Sequence, residues 1–167
     1  MMRATPNFVD KAATSAKFWL LASFFCLSTA NGADVTLDFN RALDAYTAGE
    51  FSEARKLLEP LAKSNHVHSQ MLIAVMYAYG EGVDVDRRAA LRWYQRAASQ
   101  GHAPAMYQVG MAHVTGTGTP RNVKRGRAAL KRAANKGHYE AEMTLRKLDN
   151  GESLSIQLKP SQPASRP

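Results

Sequence analysis

Cysteine is all but missing. Cys26 is the only one in 167 residues. It follows Ser23, Phe24 and Phe25, which is not the small-residue context of a lipid-attached cysteine. Without the segment that holds it, the chain has no thiolate nucleophile and no disulfide framework, so packing alone must hold the fold. The apolar run Phe18–Leu27 is also short, at ten residues. A membrane-spanning helix needs about 20. There is no GxSxG nucleophile elbow, and the GxG glycines lack the preceding strand and following lysine of a phosphate loop. No two carboxylates present themselves as a pair for glycosidic acid–base work. Acids are scarce as well: 14 Asp and Glu stand against 22 Lys and Arg, for a formal charge of +8. From Arg121 to Lys147 there are nine Lys or Arg and only two acids, Glu140 and Glu142. In the cytoplasm such a run points to nucleic acid. Outside it, the anionic partners are envelope polymers, membrane surfaces or acidic proteins. A solvated basic face with no partner is the plainer alternative.

The N-terminus has the layout of a secretory signal. Arg3, Lys11 and Lys17 precede the apolar run, and STANGAD follows it. Cleavage after Ala30 or after Gly32 satisfies the small-x-small rule. We therefore expect a signal over 1–32, a helical domain over 33–150 and a disordered, proline-bearing tail over 151–167. A buried N-terminal helix and an uncleaved membrane anchor remain alternatives for the first segment. The expected location is the periplasm or the exterior.

Between these ends the sequence repeats. At an offset of 36 residues Gly80 meets Gly116, Gly82 meets Gly118, Asp86 meets Asn122, and Ala97-Ala98 meets Ala133-Ala134. Gly101-His102 meets Gly137-His138. A gapless period of this size is the signature of helical solenoids. The spacing predicts helices over 68–79, 87–99, 105–114, 123–135 and a capping helix over 139–148. Glycine closes the first helix of each pair, and Asp86 or Asn122 caps the second. Ala90, Leu91, Tyr94, Ala97 and Ala98 return at helical spacing as a packing face. A looser unit, 39–65, precedes these, with Pro60 expected to kink or shorten its second helix. The units are thus about 39–65, 69–101 and 105–137, and the fold class is an all-α, right-handed α/α solenoid of about three helix-turn-helix repeats plus a cap helix.

Two segments carry a family resemblance: SQMLIAVMYAYGEGVDVDRRAALRWYQRAASQG and APAMYQVGMAHVTGTGTPRNVKRGRAALKRAANKG. They resemble the Sel-like repeats, close relatives of the tetratricopeptide repeats. Gly80, Gly82, Trp93, Tyr94, Gly101, Gly116, Gly118 and Gly137 are then landmarks of the repeat. The second segment departs from the pattern where Gly126 replaces alanine, Ala129 tryptophan and Leu130 tyrosine, so its second helix is expected to be thinner and less stable. The resemblance implies an adaptor that binds other proteins. Some cysteine-rich relatives have been assigned hydrolase activity, but this chain lacks their cysteine pairs.

Candidate site residues are few. His66 and His68 precede a helix without the further donors zinc requires. His102 and His138 hold equivalent posts after a glycine, which reads as structural. Glu81, Asp84 and Asp86 lack the alternation of a calcium loop. No catalytic, cofactor or metal residue is nominated. Arg88, Arg92 and Arg96 recur every four residues on one helix, and Lys124, Arg127 and Lys131 recur on the next. They form a candidate basic patch for an acidic protein or peptide. Ser69, Met76, Met106 and Gln108 are candidates for a concave binding face, with core packing as the plainer account of the methionines. The preferred reading is a non-enzymatic exported adaptor with a protein or peptide partner and no nucleic acid. Membrane contact is expected only if the N-terminal segment stays attached. The alternative is a hydrolase or lytic enzyme acting on an envelope polymer through acids such as Glu81, Asp84 and Glu140.

Overall fold

The computed structural model describes residues 35–151. The expected signal segment and all but the first residue of the expected tail lie outside these. The chain divides into two units, Met1–Asp38 and Phe39–Pro167. Residues 35–47 are helical (α1), the last nine of them in the second unit. Six helices follow: α2 Phe51–Lys63, α3 Val67–Tyr79, α4 Arg87–Ser99, α5 Ala103–Thr115, α6 Val123–Ala134 and α7 Tyr139–Asp149. Among the described residues there is no strand. Helices pack in chain order, α2 on α3, α3 on α4, α4 on α5, α5 on α6 and α6 on α7. This is an all-α repeat solenoid of three helix pairs and a closing helix.

Helix ends follow from local chemistry. Gly80 and Gly116 close α3 and α5 in the left-handed conformation, at φ 77° and 81°. The chain then turns through a loop that closes on itself. The Asp86 N–H donates to the Tyr77 carbonyl at 2.9 Å, and the Asn122 N–H to the His113 carbonyl at 2.7 Å. Asp86 Oδ1 accepts from the N–H groups of Arg88 and Ala89, and Asn122 Oδ1 from Arg125. Each cap satisfies donors that the first turn leaves orphaned. The second glycine of each loop serves packing instead. Gly82 lies against Phe51, the first residue of α2, and Gly118 against Arg87, the first residue of α4. Each loop thus presses on the start of the preceding repeat's second helix, at the same 36-residue register.

The core lies between the paired helices. Leu58, Ile73, Met76 and Leu130 are its largest fully buried apolar side chains. Alanines at 54, 74, 97, 105, 133 and 141 let helices approach closely. One sequence expectation is corrected here. Pro60 does not shorten α2, which has 13 residues like α3, α4 and α5. The carbonyl that loses its partner belongs to Lys56, on the exposed side of the helix, where water can bond to it. Gly126 lets α6 sit close to α5. A methyl there would stand 2.5 Å from Val114 Cγ2 and 2.9 Å from the Gly110 carbonyl oxygen. Gly110 in turn accommodates Leu130, whose Cγ would lie 2.7 Å from a methyl at 110.

Candidate protein-binding surface

The first helix of the second and of the third pair has no acidic or basic residue other than histidine: VHSQMLIAVMYAY in α3 and APAMYQVGMAHVT in α5. Such a helix has more apolar surface than one face can bury. Ile73, Ala74 and Met76 are buried, and so are Ala105, Met106 and Val109. What remains forms a half-buried row in register: Met71 with Tyr107, and Val75 with Met111. Met143 of α7 continues the first line, and Tyr79 stands 47% exposed at the end of α3. The row differs from the face proposed from sequence. Ser69, Met76 and Met106 are buried, and only Gln108 of that set is partly accessible. Ser69, Ile73 and Met76 follow the four-then-three spacing of the inward face, so a rotation of about half a turn separates the two sets.

Histidines cap the row at one end. His66, His102 and His138 hold the N-cap positions of α3, α5 and α7, 36 residues apart. His66 Nδ1 accepts from the Ser69 N–H at 3.4 Å, and His102 Nδ1 from the Ala105 N–H at 3.3 Å. A nitrogen that accepts must be unprotonated. Burial, then the charge of His68, holds the pKa of both below the ordinary histidine value. The His102 ring meets His68 edge-on at 5.5 Å, and His138 stacks on Tyr107 at 4.8 Å. His138 Nδ1 makes no cap bond to a backbone N–H of α7 and faces the Glu140 carboxylate at 3.3 Å. Sequence alignment overlooked His66 as the third member, because Asn65 stands where Gly101 and Gly137 do. Asn65 adopts the same positive φ, 69°, which asparagine tolerates better than most residues.

The acids singled out from sequence have structural posts. Glu81 Oε2 accepts the Tyr46 hydroxyl at 2.5 Å, tying the loop of the second pair to α1 of the first. Burial foremost, then the Glu81 bond, pushes the Tyr46 pKa up, and burial does the same for Tyr94. Asp86 is a cap, Asp84 is exposed, and Glu140 sits on α7. No group of three or more His, Cys, Asp or Glu that could hold a metal occurs among the described residues. No described helix is long and apolar enough to cross a membrane.

The basic patch falls on the second helices. Arg88, Arg92, Arg96, Lys124 and Lys131 are exposed. Arg127 is in register with buried Leu91 and bonds to Asp149 of α7. Trp93 is half-buried between both core clusters, with Arg96 above its ring at 4.5 Å, and Tyr94 is buried.

Known proteins share this architecture. The Sel1 repeat model matches residues 67–102 and 103–138. A Sel1 repeat protein from Oxalobacter formigenes superposes with a TM-score of 0.64 at 25% identity, covering 75% of this chain and 98% of that one. A protective antigen present in uropathogenic Escherichia coli strains, displaying an SLR fold, gives 0.67 at 25% identity over 74% of this chain and 27% of its own. Cysteine rich protein B of Helicobacter pylori, at 17% identity and a TM-score of 0.55 over 67% of this chain and 95% of its own, shares the fold. An uncharacterized protein of Neisseria meningitidis serogroup B is 31% identical over 103 residues, 62% of this chain. The chain spans 22% of that relative's length.

Proposed function

Because this chain carries two consecutive Sel1 repeats and belongs over residues 67–138 to that family of tetratricopeptide-like α-solenoids, we propose that it is a non-enzymatic adaptor, exported to the cell envelope, that binds a protein or peptide along the first helices of its repeats. Stacked helix pairs offer extended binding surfaces without needing a pocket. The observation that carries the reading is the half-buried row of Met71, Val75, Tyr107 and Met111. Methionine and tyrosine suit such a surface, because one adapts its shape and the other adds a hydrogen-bonding tip to a rigid ring. Export is supported by the basic start, apolar run and small residues of the first 32 positions.

A photo-crosslinking residue placed at Val75 or Met111, in cells that export the full chain, is expected to trap one defined envelope protein. The same residue at Lys131 should not trap it. Equal trapping from both positions, or none from either, would overturn the assignment of the surface. The mass of the exported protein should lack the first 30 or 32 residues, and an intact N-terminus in the envelope fraction would refute cleavage. Turnover of an envelope glycan, lost on changing one carboxylate to its amide, would replace the adaptor with an enzyme.

A further inference from the structure

From Arg87 to Tyr139 the chain has eleven Lys and Arg and no Asp or Glu. The helices α4 and α6 fall in this span. Their exposed positions coincide at the 36-residue offset: Arg88 with Lys124, Gln95 with Lys131, and Arg96 with Arg132. Arg92 is exposed in register with Ala128. The two helices are equivalent members of successive repeats, so these six cations share the outward side of the second-helix layer.

The three cations of α2 and two near the C-terminal end are neutralised. On α2, Lys56 pairs with Glu53 at 3.2 Å, and Arg55 and Lys63 pair with Glu59 at 3.6 and 3.7 Å. On α7, Arg146 pairs with Glu142 at 2.7 Å, and Arg127 of α6 reaches Asp149. Arg88, Arg92, Arg96, Lys124, Lys131 and Arg132 meet no carboxylate among the described residues. All six of these unpaired cations lie within the two Sel1 repeats. Its like charges at four-residue spacing repel one another, a cost that α2 avoids with glutamates.

The geometry points to a partner that is itself an extended anionic surface. The cations run along both helices instead of converging. The hollow on α4 between Arg92, Gln95, Arg96 and Ser99 is open, and Lys124, Lys131 and Arg132 belong to another helix. Guanidinium groups suit phosphate oxygens through their planar fork. With no acid anywhere from 87 to 139, nothing in this span opposes approach to a negative plane. We propose that the outer face of α4 and α6 docks the protein on an anionic phospholipid surface, the headgroup phosphates serving as counter-ions. This surface lies apart from the adaptor row, and it gives the chain a membrane contact that does not depend on an attached N-terminal segment.

The test is vesicle co-sedimentation of the full chain. Phosphatidylglycerol–phosphatidylcholine vesicles are compared with phosphatidylcholine vesicles, so that any contribution of the apolar run Phe18–Leu27 is seen with both. Binding should require the anionic lipid and should fade as salt rises from about 0.01 to about 1 M, which shortens the screening length from about 30 to about 3 Å. At about 1 kcal/mol per basic residue near the surface, the triple variant R88Q/R92Q/R96Q should lose about a hundredfold in partition coefficient. The variant K124Q/K131Q/R132Q asks the same question of α6 should the first misfold. K56Q/K63Q, on the paired face of α2, should bind as the parent does. Binding indifferent to anionic lipid, or unchanged in both triple variants, would overturn the proposal. So would capture of polyglutamate or duplex DNA through these residues without capture of anionic vesicles.

Discussion

Replacing Gly118 by alanine separates two reasons for which a glycine is needed. At φ 71° an L side chain sits in the left-handed region, at a cost of about 1–2 kcal/mol that the stiffer unfolded chain offsets by about 0.4–1 kcal/mol. Gly137, at φ 82°, carries the same backbone cost, and a methyl there meets nothing within 4 Å. A methyl at 118 would stand 2.4 Å from the Arg87 carbonyl oxygen and 2.7 Å from its carbon. Arg87 cannot yield easily, because it opens α4 directly after the Asp86 cap. The overlap should add about 1–3 kcal/mol, the range for overpacking. Gly137→Ala should thus cost about 1 kcal/mol and Gly118→Ala about 2–4 kcal/mol. Urea unfolding of the full chain followed by far-ultraviolet circular dichroism measures both. Gly82→Ala, whose methyl would lie 2.8 Å from Phe51 Cβ, should resemble Gly118→Ala. Equal midpoint shifts for Gly118→Ala and Gly137→Ala would refute the idea that the loop's second glycine is there for contact with the preceding repeat.

Other expectations can be checked the same way. Because His66 and His102 have lowered folded-state pKa values, the unfolded chain takes up protons first as pH falls below about 6.5, so stability should be full above that pH and decline below it until the folded-state pKa is passed. The double variant His66→Asn, His102→Asn keeps a good N-cap residue without titration; its stability between pH 7 and 5 should be flatter, and an unchanged slope would locate the effect elsewhere. Tyr46→Phe leaves Glu81 without its 2.5 Å donor and should cost about 1–2 kcal/mol, with Glu81→Gln non-additive in a double-mutant cycle. Gly126→Ala should destabilise by about 1–3 kcal/mol despite alanine's better helix propensity, since its methyl would meet Val114 and the Gly110 carbonyl; a gain in stability would show that α5 can back away.

The repeat was legible because its constraints are local. Gly80 and Gly116 are set by a left-handed cap, and Asp86 and Asn122 by orphan N–H groups, so residue type and spacing suffice. The roles of Gly82, Gly118, Gly110 and Gly126 were not legible in the same way. Each answers to a neighbour distant in sequence, and a glycine looks alike whether it supplies a turn or leaves room. The apolar row was missed for a related reason. Met71 and Met76 are equally apolar as letters, and only packing of α3 on α2 and α4 decides which one stays half open. A signal was available, since a 13-residue helix without Lys, Arg, Asp or Glu has more apolar positions than its neighbours can cover. The pairing of Arg127 with Asp149 was likewise hidden, because its two residues stand 22 positions apart on different helices.

The separation of an uncharged first helix from a cationic second one gives each of the two Sel1 repeats two surfaces. Substitutions on the two should add, as distant sites without shared partners do. Trp93 is where that independence should fail. It packs against both core clusters from the inner side of α4, while Arg96 lies over its ring. Ala129 and Leu57 hold the equivalent posts in the neighbouring pairs, so no other pair has an aromatic ring in this position. Arg96→Gln removes a cation–π contact and should cost about 0.5–1 kcal/mol of stability. Trp93→Ala opens a void between the clusters and should cost about 3 kcal/mol, the lower end for a tryptophan because it is half-buried. If Trp93 joins the repeats, its loss should also make urea unfolding less cooperative, with α2–α3 and α5–α6 melting at different midpoints. The tryptophan that remains in that variant, Trp19, lies outside the repeats, so hydrogen exchange of amides in α2 and α6 is the readout. A single shared midpoint with unchanged slope would mean that the backbone contacts of Gly82 and Gly118 couple the repeats without the help of Trp93.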